Sequence, residues 1–242
     1  MIKDIWNFIC NIIFPPRCIF CGRYLEPNYK IYTCGDCGKD IEFCLQESSC
    51  QQCGKPIVGF ANKKLCYFCI HEKPKYFDRI ISVFVYEDKV RRAVIKFKAT
   101  GLYGHTKIFS DCITSRIFEE YEGIKFDFLC GVPPHKKGSE FDQLKLLCKP
   151  IAKNIGIPYI KNIFIFVKKV KKQSELGYKE RKDNVRNSLK VKKEIDLTGK
   201  TVLVIDDICT TRQTLMECSR ALKAAGAKRV YCATIATVKN PN

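Results

Sequence analysis

The chain has 242 residues, a length that allows one large domain or an ordinary domain beside a small one. Hydrophobic residues make up 46% of it and aromatic residues 12%, which excludes wholesale disorder. Its 43 Lys and Arg against 25 Asp and Glu give a formal net charge of +18, so nucleic acid, anionic lipid or a phosphorylated small molecule is the expected class of partner.

The first segment, residues 1–16, is apolar and is predicted to contain a short amphipathic helix over Met1–Phe14. Either this helix packs against the rest of the protein or it attaches to a membrane surface. No stretch reaches the roughly 18 apolar residues that a membrane span needs, and no secretory cleavage site follows. We therefore expect a cytoplasmic protein, with a place near the inner membrane face as a further expectation.

Residues 17–76 contain an internal duplication built on cysteine pairs. There are four C-x2-C pairs, two in each half of the segment. The two pairs of one half are separated by 12 residues, and each cysteine of the first half recurs 32 residues later. Such pairs place two thiolates on one tight turn, and in the cytoplasm they are typical of closed, structural four-cysteine zinc sites. The predicted ligands are Cys18, Cys21, Cys34, Cys37, Cys50, Cys53, Cys66 and Cys69.

The spacing leaves the pairing of these cysteines open. Equal gaps favour sequential ribbons, with an interleaved arrangement as the alternative and iron–sulfur ligation as a less favoured one. Gly22, Gly38 and Gly54 each follow the second cysteine of a pair, where a positive φ is often needed. The other eight cysteines have no paired spacing and are predicted to be small core or surface residues.

The remainder, residues 77–242, alternates strand and helix patterns, which predicts an α/β domain with a parallel sheet flanked by helices. Predicted strands are Ile80–Tyr86, Phe126–Val132, Thr201–Ile205 and Arg229–Val238, and Ile163–Val167 is a further short apolar run. Predicted helices are Asp88–Lys98, Lys107–Tyr121, Gln143–Ile155 and Thr214–Ala225. Ligands of such sheets bind beyond the carboxyl ends of the strands, which directs attention to the loop 206–213.

This loop combines two adjacent carboxylates with three threonines before a helix. Helix N–H groups and threonine hydroxyls can hold a phosphate, while Asp206 and Asp207 can accept hydrogen bonds from ribose hydroxyls or help to order Mg²⁺. An acidic pair that merely stabilises the helix start is the structural alternative. The pattern predicts a ribose phosphate site.

A second feature of this domain is its basic band, since residues 136–200 contain 18 basic and 7 acidic residues. A Lys-rich surface without a ligand is the alternative to a binding surface, and the run at 168–172 can simply be a solvated loop. The candidate nucleic-acid contacts are Lys168, Lys169, Lys171, Lys172, Lys179, Arg181 and Lys182.

The loop resembles the phosphoribosyl-pyrophosphate (PRPP) motif of type I phosphoribosyltransferases, and the chain as a whole resembles ComF-type competence proteins of the ComFC class. The resemblance includes the cysteine ribbons that open with residues 14–18, the stretch from 86 to 101, the segments 132–143 and 173–185, and the acidic loop. It implies a type I phosphoribosyltransferase-like fold preceded by a double zinc ribbon. It also implies PRPP contacts, with Mg²⁺, from Asp206, Asp207, Thr210, Thr211, Arg212, Thr214, Lys136 and Lys137.

Two positions depart from the family pattern. Arg212 stands where the family usually has glycine, so we expect either a different φ or a side chain that binds the phosphate directly. Ser139 and Glu140 stand where the family usually has Arg-Gly, which should weaken pyrophosphate binding. Both departures make catalytic turnover doubtful while leaving the fold prediction unchanged.

Three functional hypotheses follow. The first is an accessory protein of natural transformation that binds single-stranded DNA and PRPP or a related ribose phosphate. The second is an active Mg²⁺-dependent phosphoribosyltransferase whose acceptor no residue identifies. The third is a non-catalytic scaffold whose ribbons dock a DNA-uptake helicase or another competence protein. We rank the first above the third, and the second last.

Overall fold

The computed structural model describes residues 15–26, 32–41, 43, 48–57, 64–72, 75–134, 143–168 and 186–239. The strands are β1 (Arg79–Val85), β2 (Phe128–Gly131), β3 (Phe164–Phe166), β4 (Leu189–Val191), β5 (Thr201–Cys209) and β6 (Arg229–Thr237). The helices are α1 (Gly35–Asp40), α2 (Tyr67–His71), α3 (Asp88–Thr100), α4 (Tyr103–Glu120), α5 (Gln143–Ile155) and α6 (Gln213–Ala224). The predicted amphipathic helix over Met1–Phe14 lies outside the described residues.

A four-stranded parallel sheet in the order β1-β6-β5-β2 forms the centre of the α/β domain. The residues of β6 and the first half of β5 are nearly all buried, because both faces of the sheet are covered. Val202 pairs with Val230 in the middle, and Ile80 pairs with Cys232 at the β1 side. The parallel sheet and flanking helices that the alternating pattern predicts are confirmed.

The two faces of the sheet carry different elements. On one face, α3, α4 and α5 pack on residues such as Leu203 and Ile205 of β5. On the other face, α6 packs on Val202 and Val204, together with β3 and β4, which form a separate antiparallel pair. Alternating side chains of one strand therefore belong to two cores, as the two-residue period of a strand requires.

Several predicted boundaries need correction. The strand β5 extends four residues beyond the predicted Ile205, since Asp206 and Ile208 continue to pair with β6. The helix α4 begins at Tyr103, ahead of the predicted Lys107, because Gly101, with φ of 58°, caps the end of α3 and the next helix starts two residues later. The helix α5 has the predicted bounds.

The cysteine region forms two small units, ribbon 1 (described residues between 15 and 41) and ribbon 2 (described residues between 48 and 72). The duplication is visible in the backbone, because Cys18 N donates to Arg23 O and, 32 residues later, Cys50 N donates to Lys55 O. Both ribbons reach β1, an edge strand whose unpaired groups need covering. Ile80 N donates to the Gln52 carbonyl of ribbon 2 at 2.8 Å.

Each ribbon packs on a different face of the sheet. Ile19 and Phe20 of ribbon 1 belong to the core formed with α3 and α4, and the ring of Phe20 meets that of Phe84 edge-on at 5.9 Å. The cysteines of ribbon 2 belong to the core on the α6 side, with Leu215. Among the described residues, no helix is long and apolar enough to cross a membrane.

Candidate functional site

The eight predicted zinc ligands form two separate clusters. Each cluster brings four Sγ atoms within 4.8 Å of one another, and the grouping is sequential rather than interleaved. The members are Cys18, Cys21, Cys34 and Cys37 in ribbon 1, and Cys50, Cys53, Cys66 and Cys69 in ribbon 2. The geometry thus decides the pairing that the spacing left open.

The clusters fit zinc. The Sγ atoms of Cys21 and Cys34 are 3.7 Å apart, and so are those of Cys53 and Cys66. Four sulfurs at about 2.3 Å from a tetrahedral zinc ion lie about 3.8 Å from one another, whereas a disulfide requires about 2.05 Å. Four thiolates leave no open coordination position, so the sites are structural.

The two cysteine turns of each ribbon are built differently. Gly22 and Gly54 follow the first turn with φ of 78° and 66°, as predicted. Gly38 lies inside helix α1 without a positive φ, so the expectation for it is wrong: the second turn of each ribbon is the start of a short helix. At Gly54 an added Cβ would lie 2.7 Å from the Ile80 carbonyl oxygen, so the first turn of ribbon 2 approaches β1 as closely as only glycine allows.

The acidic pair lies at the carboxyl end of β5. Asp206 and Asp207 are successive strand residues, so their side chains point to opposite faces of the sheet. Both are half-buried, and the Asp207 amide donates to Asp206 Oδ1 at 2.8 Å. Asp207 faces α3, where its Oδ2 accepts from Lys98 Nζ at 2.8 Å.

The charges at this end of β5 are coupled. Burial, followed by the neighbouring charge of Asp207, raises the pKa of Asp206 to about 8. Burial by itself lowers the pKa of Lys98, but the Asp207 carboxylate and the charge of Asp206 outweigh it and leave that pKa raised. One lysine therefore faces two carboxylates, an arrangement suited to a ligand that brings hydroxyl donors, a cation or both.

The turn between β5 and α6 carries the predicted phosphate contacts. Thr211 is buried, and Thr210 and Thr214 are half-buried. The first N–H groups of α6 have no acceptor within the helix, as at any helix start. Beside the carboxylates and the threonine hydroxyls, this turn can hold a phosphate group.

Arg212 keeps the backbone conformation that glycine would adopt. Its φ of 66° and ψ of −6° lie in the left-handed region, at a cost of about 1 kcal/mol for a residue with a side chain. The expectation that Arg212 forces a different φ is therefore wrong. The strain has to be offset by contacts of the side chain.

The Arg212 side chain contacts ribbon 2, and only 4% of the residue is exposed. Its Nη1 lies 3.9 Å from Cys53 Sγ, its Nη2 lies 3.4 Å from Glu72 Oε2, and its Cζ lies 5.1 Å from the centre of the Phe68 ring. The adjacent Gln213 donates to Glu72 Oε1 at 3.4 Å. The guanidinium is thus committed to the ribbon rather than to the turn, which the sequence did not indicate.

Several predicted site residues fall outside the described part of the chain. These are Lys136 and Lys137 of the pyrophosphate region and, of the nucleic-acid set, Lys169, Lys171, Lys172, Lys179, Arg181 and Lys182. The departure at Ser139 and Glu140 lies there as well. Lys168 is described and exposed, two residues after the end of β3.

Sequence reasoning missed two residues of this site. Lys98 was noticed only as part of a family stretch, yet it is the cation that faces Asp207. No sequence pattern indicated Glu72, yet its carboxylate accepts hydrogen bonds from the side chains of both Arg212 and Gln213. The duplication offers a hint, since Asp40 lies 32 residues before Glu72 and also follows the last zinc ligand by three positions.

Comparison with protein families matches two separate parts of the chain. A model described as a phosphoribosyl transferase domain matches residues 146–241, and one described as a double zinc ribbon domain matches residues 9–70. The adenine phosphoribosyltransferase of Saccharomyces cerevisiae is among similar solved structures, at 14% identity over 69% of this chain and 83% of that chain, with a TM-score of 0.41. The two family models, the parallel sheet and the two cysteine clusters together define a type I phosphoribosyltransferase-like domain that carries a double zinc ribbon with two structural zinc sites.

Two curated relatives sharpen this assignment. The DNA utilization protein YhgH of Salmonella typhi is 30% identical over 94 residues, which are 38% of this chain and 40% of that protein. Competence protein F of Haemophilus influenzae is 33% identical over 92 residues, 37% of this chain and 40% of that protein. With the ribbon and the transferase domain joined in one chain, these matches support the ComF-type competence protein family, and the chain spans about 40% of the length of each of these relatives.

Proposed function

We propose that this chain is a competence accessory protein that binds PRPP or a related ribose phosphate at the end of β5 and single-stranded DNA on its basic surface during DNA uptake. The observation that carries the proposal is the acidic pair at the carboxyl end of β5, directly followed by the threonine turn and the start of α6. The named relatives and the family motif support the same reading, and the alignments span 40% of each relative.

The proposed roles follow from the chemistry of the ligand. A ribose phosphate presents vicinal hydroxyls, which can donate hydrogen bonds to the carboxyl groups of Asp206 and Asp207. It also presents a 5′-phosphate, which the threonine hydroxyls and the N–H groups at the start of α6 can hold. Mg²⁺ brought with PRPP would find carboxylate oxygens, its preferred ligands, at the same place. Lys98, which is paired with Asp207 at this end of β5, adds a positive charge that can attract the pyrophosphate.

The DNA part of the proposal rests on charge. Described basic residues are exposed on α3, where Arg91, Arg92 and Lys96 lie on its solvent side, and Lys168 begins the basic run after β3. A single strand needs a cationic path and neutral stacking surfaces more than it needs base-specific contacts. We place this activity in the cytoplasm, near the inner membrane face, where an incoming strand would arrive.

Calorimetric titration with PRPP–Mg²⁺ tests the ligand. We expect binding to the wild-type protein and its loss in the Asp206→Asn/Asp207→Asn double variant, because amides replace both carboxyl groups that would accept from the ribose hydroxyls and hold Mg²⁺. Asp111→Asn, an exposed acid on α4, is the matched control and should bind as the wild type does. Equal binding by the double variant would contradict the assignment of the site.

Fluorescence anisotropy with a labelled single-stranded oligonucleotide tests the partner. Affinity should fall steeply with salt, with a slope of about −0.7 per phosphate contact, because counterions are released on binding. Salt-independent binding, or none at low salt, counts against DNA as the partner. The affinity of a variant with Arg91, Arg92 and Lys96 replaced by Gln tests whether the exposed side of α3 contacts the DNA strand.

A scaffold function is the second candidate, and exposed apolar residues favour it. Tyr67 is 71% exposed and Ile70 is 47% exposed, both on α2 of ribbon 2. A DNA-uptake helicase or another competence protein is the partner we would test, with Tyr67→Ala/Ile70→Ala against the wild type in a binding assay with purified components. An active phosphoribosyltransferase ranks last among the three hypotheses, because no residue identifies an acceptor. Pyrophosphate release by the wild type above that of the Asp206→Asn/Asp207→Asn variant would support this hypothesis.

A further inference from the structure

The contacts of Arg212 join two sites that the sequence presents as independent. We infer that Arg212 is a positioning residue through which the second zinc site holds the β5–α6 turn in its binding conformation. Zinc in ribbon 2 and an anion in the turn then stabilise the same arrangement of one backbone segment. The part of this inference that concerns PRPP rests on the proposed function; the part that concerns the turn does not.

The internal repeat shows that this is a docking contact with a counterpart. In ribbon 1, Asp40 receives Lys89 of α3 at 2.9 Å. In ribbon 2, the residue 32 positions later, Glu72, receives Arg212. In each ribbon, the acidic residue three positions after the last zinc ligand thus pairs with a basic residue of the α/β domain. That basic residue lies at the start of a helix that directly follows a parallel strand. Only ribbon 2 meets the helix start that belongs to the acidic pair.

Electrostatics explain why the cation in ribbon 2 is buried. Four thiolates around a divalent zinc ion leave a net charge of about −2, which needs compensation inside a protein. All four cysteines of ribbon 2 are buried, and among the described residues Lys55 and Arg212 are buried cations whose charges act on these cysteines. Removal of the zinc changes the net charge of the thiolate cluster beside Arg212, so the guanidinium is no longer held in its position against ribbon 2.

The backbone supplies the coupling. Arg212 occupies a left-handed conformation that its side chain disfavours, and its contacts with Cys53, Phe68 and Glu72 hold it there. The same φ orients the N–H groups at the start of α6. If those contacts are lost, the turn is free to relax away from the phosphate-binding form. Coupling between two sites is reciprocal, so a bound anion should also retain the zinc.

Hydrogen–deuterium exchange of the full-length zinc-loaded protein tests this directly. Cys66→Ser removes a ligand from ribbon 2, and Cys34→Ser removes the equivalent ligand from ribbon 1. We expect Cys66→Ser and Arg212→Ala each to raise exchange in the peptide covering Cys209–Met216 about tenfold, while Cys34→Ser and Lys89→Ala leave it unchanged. Arg212→Lys, which keeps the charge, should restore part of the protection.

Unchanged exchange in Cys66→Ser and Arg212→Ala would overturn the inference, and so would an equal rise in Cys34→Ser. A variant that unfolds shows itself by fast exchange in the central strand Thr201–Ile205. In that case Arg212→Ala, with two zinc ions per chain verified, decides the question by itself, because it leaves every zinc ligand in place.

A ligand measurement extends the test. Affinity for PRPP–Mg²⁺ should fall about tenfold in Arg212→Ala and stay at the wild-type value in Lys89→Ala. If the wild-type protein binds no PRPP, the proposed function fails while the exchange experiment still decides the role of Arg212. If PRPP binds wild type and Arg212→Ala equally, the coupling fails and the proposed function stands.

Discussion

Ribbon 1 and ribbon 2 share a 32-residue repeat, a set of backbone hydrogen bonds and a four-cysteine cluster, yet their surroundings differ. Cys21 of ribbon 1 is exposed, while every cysteine of ribbon 2 is buried. Arg23 pairs with Asp36 in solvent, with 63% and 67% of their side chains exposed, and Lys55, at the equivalent position of ribbon 2, is 3% exposed. The same local structure therefore packs away from the candidate site in ribbon 1 and contacts the turn of the candidate site in ribbon 2.

The difference teaches that a duplicated module can acquire a second role through its docking surface alone. Ribbon 1 packs on aromatic rings of the sheet and α4, where Phe84 contacts Phe20 and Phe109. Ribbon 2 contacts the turn that follows the acidic pair. Zinc stabilises each ribbon, and only in ribbon 2 does that stability reach the phosphate-binding segment.

The largest expected effect comes from neutralising the equivalent cations. Lys55→Met should lower the free energy of unfolding by about 3 kcal/mol, because it removes a buried cation whose charge is felt by Cys53 and Cys66 of the second cluster. Arg23→Met should be nearly neutral, because Arg23 is solvent-exposed. Urea denaturation at a fixed zinc concentration measures both. Equal losses would remove the distinction drawn between the two ribbons.

The order in which zinc leaves gives a second, smaller effect. A chromogenic chelator should take the first zinc ion from ribbon 1, on the order of tenfold faster than the second, since only ribbon 1 has an exposed ligand. Native mass spectrometry follows the two losses, and Cys21→Ser identifies the ribbon that is emptied first. Release of both ions at one rate would contradict the comparison.

A pH-dependent effect concerns Asp206, at the carboxyl end of β5. The pKa of Asp206 is raised to about 8, above its ordinary value of 3.8, so the folded protein holds a proton there that the unfolded chain releases. Stability should therefore fall as pH rises from about 4 to about 8. Asp207 and Lys98 are the charged groups that face it.

Asp206→Asn removes that dependence. At pH 8 the variant should be more stable than the wild type, and the difference should shrink as pH falls and vanish below about pH 4. Thermal melts across this range measure it, and Asp111→Asn, an exposed acid, should show no such difference. A wild-type protein whose stability rises through the window would place the proton elsewhere.

Much of the fold follows from patterns within single segments. The nearly continuous apolar runs of β5 and β6 and the helical stripe of α5 need no tertiary information, because hydrophobic periodicity reports burial directly. The strand β4 was missed because three residues carry no period. It forms where Glu217 of α6 accepts from the amides of Asn187 and Leu189 at 3.0 and 2.9 Å.

The candidate site divides in the same way. The sequence by itself determined the two cysteine clusters and the acidic pair, since their members lie within one short segment or one repeat. Only the tertiary structure decided that Lys98 meets Asp207 and that Arg212 turns to Glu72 and Cys53. These partners are far apart along the chain, and packing between elements, rather than any local preference, brings their charges together.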